Sequence, residues 1–359
     1  MTAKRPTIAD IAQRAGVSTG AVSYALNGRA GVSPQTRDRI LHIADEIGWR
    51  PSIAARSLSG SRSHAVGLVI ARTARTLGVE PFFMQFIAGV ESVLSAQQTA
   101  LLLQVVPDHA AANTAARQWW AERRVDGVIV TDLWVDDHRI PTLLEIGVPA
   151  VIVGRPHADV PLPGVWSDDG AAVESVVDYL VALGHRRIAR VAGLERLEHT
   201  QVRTDAFLAA TSRHGIAAAD IITTDYTREE GARATRRLLT SRQPPTAITY
   251  DNDVMAVAGL GVAREMSISV PDQLSIVAGD DSQLCVLVHP SLTSLSRDIT
   301  AYGANAARLL LTHLDGGAAT SFQDATAHLI PRGSTATAPD VTGGDRHTGR
   351  PARRRPAPE

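Results

Sequence analysis

The 359-residue chain contains one cysteine, Cys285. A single thiol excludes a disulfide framework within the chain and any cysteine-rich zinc site. With no partner evident, Cys285 reads as a quiet core residue rather than a nucleophile. No run of about 18 apolar residues occurs, so no membrane-spanning helix is expected. The opening MTAKRPT lacks the apolar stretch of a secretory signal, which makes the cytoplasm the expected location. Catalytic signatures are missing too: there is no strand-to-helix nucleophile elbow, no HExxH and no GxxxxGK[ST] phosphate loop. Ser167-Asp168-Asp169 and His185 come nearest to hydrolytic or metal chemistry. The two aspartates precede a helix and read as its caps, and His185 follows Gly184 in a turn. No enzyme, cofactor or metal is expected.

Neither sign of charge dominates the whole, with 36 Lys/Arg against 37 Asp/Glu. The distribution is uneven. Residues 1–62 hold nine basic and four acidic residues, a balance of +5, so the remainder carries −6 of a net −1. A basic end on an acidic body concentrates a phosphate-attracting field at one place.

That basic end has a pattern of its own. In TIADIAQRAGVSTGAVSYALNG, Ile8, Ile11, Ala12 and Ala15 recur at helical spacing. Thr7 and Asp10 make a capping pair for this first helix. Gly16 permits the positive φ of a tight turn, and Ser18 caps a second helix whose buried face is Val17, Ala21, Val22 and Leu26. Ser33-Pro34 opens a third helix, with Ile40, Leu41, Ala44 and Ile47 on its apolar face and Gly48 as its stop. Two short helices joined by a glycine-containing turn form a helix-turn-helix, whose second helix enters the DNA major groove.

The ordered set TIADIAQRAGVSTGAVSYALNG, VSPQTRDRI and GWRPSIAARSL closely resembles the headpiece of the lactose repressor/galactose repressor (LacI/GalR) family. The resemblance implies that Thr19, Gly20 and Tyr24 occupy the base-reading positions. Since Gly20 has no side chain, Thr19 and Tyr24 carry most of the readout, unless Tyr24 is a packing residue. Ser18 and Ser23 read as phosphate contacts, which position without specifying. Thr7, Asn27 and Ala54 complete the expected contact set. The resemblance also makes Ser52 to Ser59 a hinge helix whose Leu58 wedges into the minor groove at the operator centre.

From His64 the pattern changes to short apolar strands alternating with helices. Strands are expected at Ala65–Ile70, Ala100–Val106, Val125–Val130 and Val148–Val153, then at Ile188–Ala192, Ala247–Tyr250 and Leu274–Ala278. Such alternation implies parallel sheets with right-handed crossovers. The expected fold class is an all-α helix-turn-helix headpiece plus an α/β, two-lobed, periplasmic-binding-protein-like body with two doubly wound parallel sheets. The expected domains are a headpiece at 1–50, a hinge at 51–62, the body at 63–338 and a disordered Pro/Arg-rich tail at 339–359. The family resemblance, which continues through VDGVIV, LGHRRIARVAG, YDNDVMAVAG and PRGST, places chain crossings near Pro163, Leu284 and Ala318. The first lobe would then span about 63–163 and 286–316, and the second about 164–284 and 320–338. The tail shows no leucine heptad for tetramerisation.

Ligands of doubly wound sheets bind at strand carboxyl ends. Resemblance puts Arg203, Asn252 and Asp280 where family members hydrogen-bond sugars or nucleobases, and Tyr226 where an aromatic often stacks. Phe83 lines the first-lobe wall or belongs to the core; Asp253 and Asp281 are ligand groups or helix caps. Three departures stand out: Gly279 where an aromatic is usual, Gly154 where an aspartate is frequent, and Ala206 for a common glycine. Together they imply one bulky wall and one acceptor fewer, and a larger or differently hydroxylated ligand. The resulting expectation is a homodimeric repressor on a pseudo-palindromic double-stranded operator, controlled by a sugar or nucleoside-like effector that acts as inducer, by the family's majority habit, or as corepressor. The alternative is a two-lobed small-molecule-binding protein with no regulatory DNA role.

Overall fold

The computed structural model describes residues 6–49, 62–72, 77, 80–156, 160–216 and 219–339. The chain divides into two compact units, residues 1–63 and 64–359. The expected hinge at 51–62, with Ala54 and Leu58, lies outside the described residues except at its last position, and so does nearly all of the expected tail.

In the first unit, helix α1 (Ile8–Ala15) is opened by a reciprocal capping box between Thr7 and Asp10 and closed by Gly16 at φ 65°. Helix α2 (Thr19–Leu26) is capped by Ser18, and α3 (Pro34–Glu46) by Ser33 with proline in its first turn. Ile11, Ala12, Ala15, Val22, Ala25, Ile40, Ala44 and Trp49 form the small buried core. On α2 the buried pair is Val22 and Ala25, with Val17 and Leu26 packed at the margin. Ala21, expected inside, is only partly covered.

The second unit begins with β1 (Ala65–Ala71), α4 (Pro81–Ala96), β2 (Ala100–Val106), α5 (His109–Ala121) and β3 (Gly127–Val130). It continues through α6 (Arg139–Ile146), β4 (Ala150–Val153) and β5 (Gly164–Trp166). These strands form one sheet, ordered β5-β4-β3-β1-β2. Then follow α7 (Asp169–Ala182), β6 (Ile188–Ala192), α8 (Glu198–Arg213), β7 (Ile221–Thr223), α9 (Arg228–Leu239) and β8 (Ala247–Tyr250). After them come α10 (Asp253–Glu265), β9 (Ser275–Ala278), α11 (Gln283–Leu287) and β10 (Thr293–Ser296). Their strands make the second sheet, β10-β9-β8-β6-β7. The central strands are buried along their length, which is why they read as continuous apolar runs rather than alternating ones.

Two later segments return. Helix α12 (Ile299–Leu314) packs on α4, bringing Ile299, Tyr302 and Leu310 into the first-lobe core with Phe83 and Phe86. Strand β11 (Phe322–Gln323) extends the first sheet beside β5, and β12 (His328–Ile330) pairs antiparallel with β10 in the second. All three crossings therefore fall later than expected. Gly164–Trp166 and Phe322–Gln323 belong to the first sheet, and Thr293–Ser296 to the second. Those boundary strands are two to four residues long, and their GVW, FQ and TSLS carry no apolar run that would assign them to either sheet.

Candidate functional site

On the headpiece the amino-terminal turn of α2 presents Ser18, Thr19 and Gly20 to solvent. Ser18 Oγ accepts the Ala21 amide at 3.1 Å and so helps fix the start of the helix. Tyr24 lies one turn beyond Gly20 and is 46% exposed. The ring rests against Gly31, where a Cβ would stand only 3.2 Å from Tyr24 Cδ2, so Tyr24 is braced by the next turn while still reaching solvent. Ser23 and Asn27 face one another: Asn27 Nδ2 donates to the Ser23 carbonyl at 2.8 Å. Thr7 Oγ1 donates to Asp10 Oδ2 at 2.6 Å, a capping role on α1.

In the body, a cavity of about 260 Å³ opens between the carboxyl ends of the two sheets. That volume is just below the usual range of small-molecule sites, about 300–1,000 Å³. Of the five expected effector residues, Phe83, Arg203, Tyr226 and Asp280 line it. Phe83 is also a core residue, 1% exposed.

Asn252 does not line the cavity. Its Oδ1 accepts the Met255 amide at 2.9 Å as the cap of α10, and its Nδ2 donates to the Tyr226 carbonyl at 3.2 Å. Asp281 pairs with Arg332 and accepts from Ser294, tying β10 to the last segment. Asp168 caps α7, as expected, by accepting the Ala171 amide at 2.9 Å. Asp169 departs from that expectation: it faces the cavity and binds Arg203, 2.7 Å from Nη2. His185 is fully buried, held by Thr246 and Ser275 at 2.9 and 3.0 Å.

Several lining residues were not anticipated: Arg72, Glu80, Asp132, Trp166, His199 and Arg297. Arg72, Asp132 and Arg297 lie just past the carboxyl ends of β1, β3 and β10, and Trp166 ends β5. The strand-end rule therefore held the signal for these four, whereas Glu80 and His199, at the starts of α4 and α8, carry no such signal. Arg72 Nε donates to Asp132 Oδ2 at 2.7 Å, and its guanidinium lies 5.0 Å from the Tyr226 ring centroid. Arg155 covers Trp166 at 5.4 Å, and Arg297 lies 5.6 Å from Phe82. Each of these rings thus has a cation near its face, a favourable arrangement that leaves guanidinium N–H edges for a ligand. Tyr226 is hydrogen-bonded through its hydroxyl to His199 at 3.0 Å and carries an unusual φ of 68°.

Burial and charge set the protonation states. Desolvation pushes the Glu80 carboxyl up to about 8 despite the pull of Arg72. Burial, with Asp253 adding to it, lifts Asp280 to about 6. Burial alone would also raise Asp169, but Arg203 and Arg297 outweigh it and hold the group at about 2. His199 is lowered to about 4 by burial and by Arg203 beside it, so the imidazole is neutral.

The glycine departures have structural causes. Gly154 adopts φ 147°, and a Cβ there would meet Leu133 Cδ1 at 2.8 Å, so this backbone leaves no place for an aspartate. A Cβ on Gly279 would lie 2.5 Å from the Asp251 carbonyl. Backbone fills that space, so the missing aromatic does not widen the cavity.

Residues 7–52 match the model for bacterial regulatory proteins of the lacI family, and residues 177–335 match a periplasmic binding protein-like domain. The chain is 30% identical over 348 residues to the HTH-type transcriptional repressor CytR of Escherichia coli (strain K12), covering 93% of this chain and 97% of that protein. Among solved structures, the transcriptional regulator CelR-cellobiose complex is similar at TM-score 0.70 and 30% identity, over 92% of this chain and 100% of that one. The lac repressor dimer bound to operator and the anti-inducer ONPF superposes at TM-score 0.80 with 26% identity, over 93% and 100%.

Proposed function

We propose, from the premise that the chain belongs to the lacI family of bacterial regulatory proteins and is a DNA-binding transcriptional regulator, how its parts divide the work. The headpiece reads a pseudo-palindromic operator as a homodimer, since a two-fold protein meets two half-sites in equivalent ways. The capped α2 supports this reading most directly, because it holds Thr19, Gly20 and Tyr24 in solvent on the basic end of the chain. Tyr24 and Thr19 are assigned to base edges, and Thr7, Ser18, Ser23 and Asn27 to the phosphate flank. Ala54 and Leu58 are assigned to the hinge, where Leu58 opens a base step from the minor groove.

The effector is a sugar or a nucleoside-like metabolite held in the cavity by Arg203, Asp280, Tyr226 and Phe83. Cellobiose in the CelR complex favours the sugar, as do the cavity's paired carboxylates and guanidinia, which suit vicinal hydroxyls. Asn252 serves by capping α10 under Tyr226 rather than by touching ligand. Effector binding shifts the population of lobe arrangements, hence the spacing of the two hinges and the affinity for operator, with reciprocal coupling. The effector acts as inducer of a repressor.

Selection of bound genomic fragments by the purified full chain tests the reading. The expected result is enrichment of one pseudo-palindrome, with Tyr24→Ala changing preference at one or two of its positions. Equal weakening on every sequence would make Tyr24 a backbone contact. No enrichment, with or without candidate metabolites, would remove the operator assignment.

A further inference from the structure

The loop after β3 and the loop before α8 belong to different lobes, yet they pair as two strands do. Trp134 and Leu197 form an antiparallel bridge. The Val135 amide donates to the Arg196 carbonyl at 3.0 Å, and the Glu198 amide to the Leu133 carbonyl at 2.8 Å. This link is separate from the three chain crossings. Its side chains reinforce it: Trp134, from the first lobe, packs against the second-lobe core in which Leu197 is 1% exposed. The His109 ring stacks on the Trp134 indole at 3.8 Å, and the Arg196 guanidinium lies 5.3 Å from it.

The first-lobe half is itself held rigidly. Asp137 Oδ2 accepts the Trp134 amide at 3.0 Å and an Arg139 Nη2 proton at 2.7 Å. The same Arg139 nitrogen donates to the carbonyls of Thr131 and Asp132 at 2.9 and 2.8 Å. A buried arginine thus fastens the whole loop that presents Trp134. On both sides of the bridge the neighbouring residues line the effector cavity: Asp132 and Leu133 from one lobe, Glu198 and His199 from the other.

We propose that the Trp134–Leu197 pairing is an interlobe clasp, with Trp134 as its anchor, that biases the body toward the closed arrangement and so sets the affinity of the chain for DNA. This rests on the reading that lobe arrangement governs operator binding. Opening the lobes at this edge must break two backbone hydrogen bonds and withdraw an indole from the second-lobe core. A link of this size shifts a two-state equilibrium without locking it. Trp134 is a positioning residue: it holds cavity walls from both lobes in register without a place among the residues that line the cavity.

The test uses the full chain carrying Cys285→Ala, with spin labels at Gln118→Cys on α5 and Arg237→Cys on α9. Dilution with unlabelled chain leaves only intrachain distances. The distance distribution and the affinity for the selected operator are measured without ligand for the parent, Trp134→Ala, Trp134→Phe and Val135→Pro. Val135 is exposed, so its proline variant removes one clasp donor with little loss of packing and serves if Trp134→Ala does not fold. The expected result is a second, longer-distance population in Trp134→Ala and Val135→Pro, partial return in Trp134→Phe, and operator affinity changed by roughly fivefold or more. Unchanged distances in folded variants overturn the clasp. Changed distances with unchanged operator affinity leave the clasp standing and overturn the coupling of lobe arrangement to DNA.

Discussion

The two lobes meet at one cavity but bring different kinds of surface to it. On the second-lobe side the polar groups are already tied together: Arg203 to Asp169, Arg190 to Asp251 through two 2.8 Å hydrogen bonds, and Tyr226 to His199. The Gly193 amide also donates to Asp251, at 2.9 Å. The first lobe pairs Arg72 with Asp132, yet it leaves Arg72 Nη1, Glu80 Oε2, Thr131 Oγ1 and Trp166 Nε1 buried without a partner among the described residues. A buried polar group without a partner costs about 1–3 kcal/mol, which a ligand hydroxyl can recover after a small side-chain rotation. Along the cavity wall the second lobe is thus a largely preset platform, and the buried side-chain atoms without a partner among the described lining residues belong to the first lobe. With Arg203 and Asp280 as the proposed second-lobe contacts, the first lobe is expected to supply the remaining specificity.

Four substitutions can break or sharpen that contrast. The largest effect is expected for Arg190→Met, which strands the Asp251 carboxylate in a site where Arg190 is 1% exposed. Denaturant unfolding should show a loss of about 3–5 kcal/mol. A loss below about 1 kcal/mol would mean the platform is not held by its pairs. Asn252→Ala removes a helix cap and should cost about 1 kcal/mol while leaving ligand affinity within about twofold. A large loss of binding with normal stability would return Asn252 to the ligand.

Thr131→Val removes one of the unpartnered first-lobe atoms without changing shape. Stability should rise by about 1 kcal/mol or more as the unpartnered hydroxyl is removed, whereas affinity for a saccharide that binds wild type, read by calorimetry, should fall about tenfold. Unaltered affinity would take Thr131 out of the recognition set. The smallest effect is a pH dependence. Folded Glu80 titrates near 8 against an ordinary 4.5, so it binds the extra proton when folded, and its contribution erodes stability as pH rises from about 4.5 through 8. His199, near 4 against 6.5, acts in the opposite sense: its contribution is lost as pH falls from about 6.5 through 4. Glu80→Gln should flatten the alkaline decline and keep the acid one, as seen in unfolding midpoints across pH; an unchanged alkaline limb would place Glu80 in water.

Much of this was legible because the deciding signals are local. The capping box at Thr7 and Asp10, the left-handed Gly16 and the apolar face of α1 follow from short-range chemistry, and they are where the sequence placed them; on α3, Ile40, Ala44 and Ile47 pack as expected, but Leu41 is 45% exposed and Ile43 packs on the core instead. The strands Ala100–Val106, Ile188–Ala192 and Ala247–Tyr250 have the bounds expected from their apolar runs and flanking turns. What was not legible depends on long-range pairing. Whether Thr293–Ser296 joins the first or second sheet is decided by β9 and β12, not by TSLS itself. Asp168 and Asp169 are indistinguishable as letters before a helix, but one accepts the Ala171 amide and the other meets Arg203, 34 residues away in sequence. Asn252 and Asp280 both follow strands, and only the direction of each side chain separates a cap from a cavity wall.

In the proposed function, effector in the cavity controls the DNA affinity of the headpiece. The most direct measurement is the affinity of the full chain for its selected operator, with and without the saccharide that raises its melting temperature, for wild type and Asp280→Ala. Equal affinities are expected without ligand, with a fall of about tenfold or more on adding saccharide to wild type and no fall in Asp280→Ala. A variant that responds to the saccharide as wild type does would contradict that control.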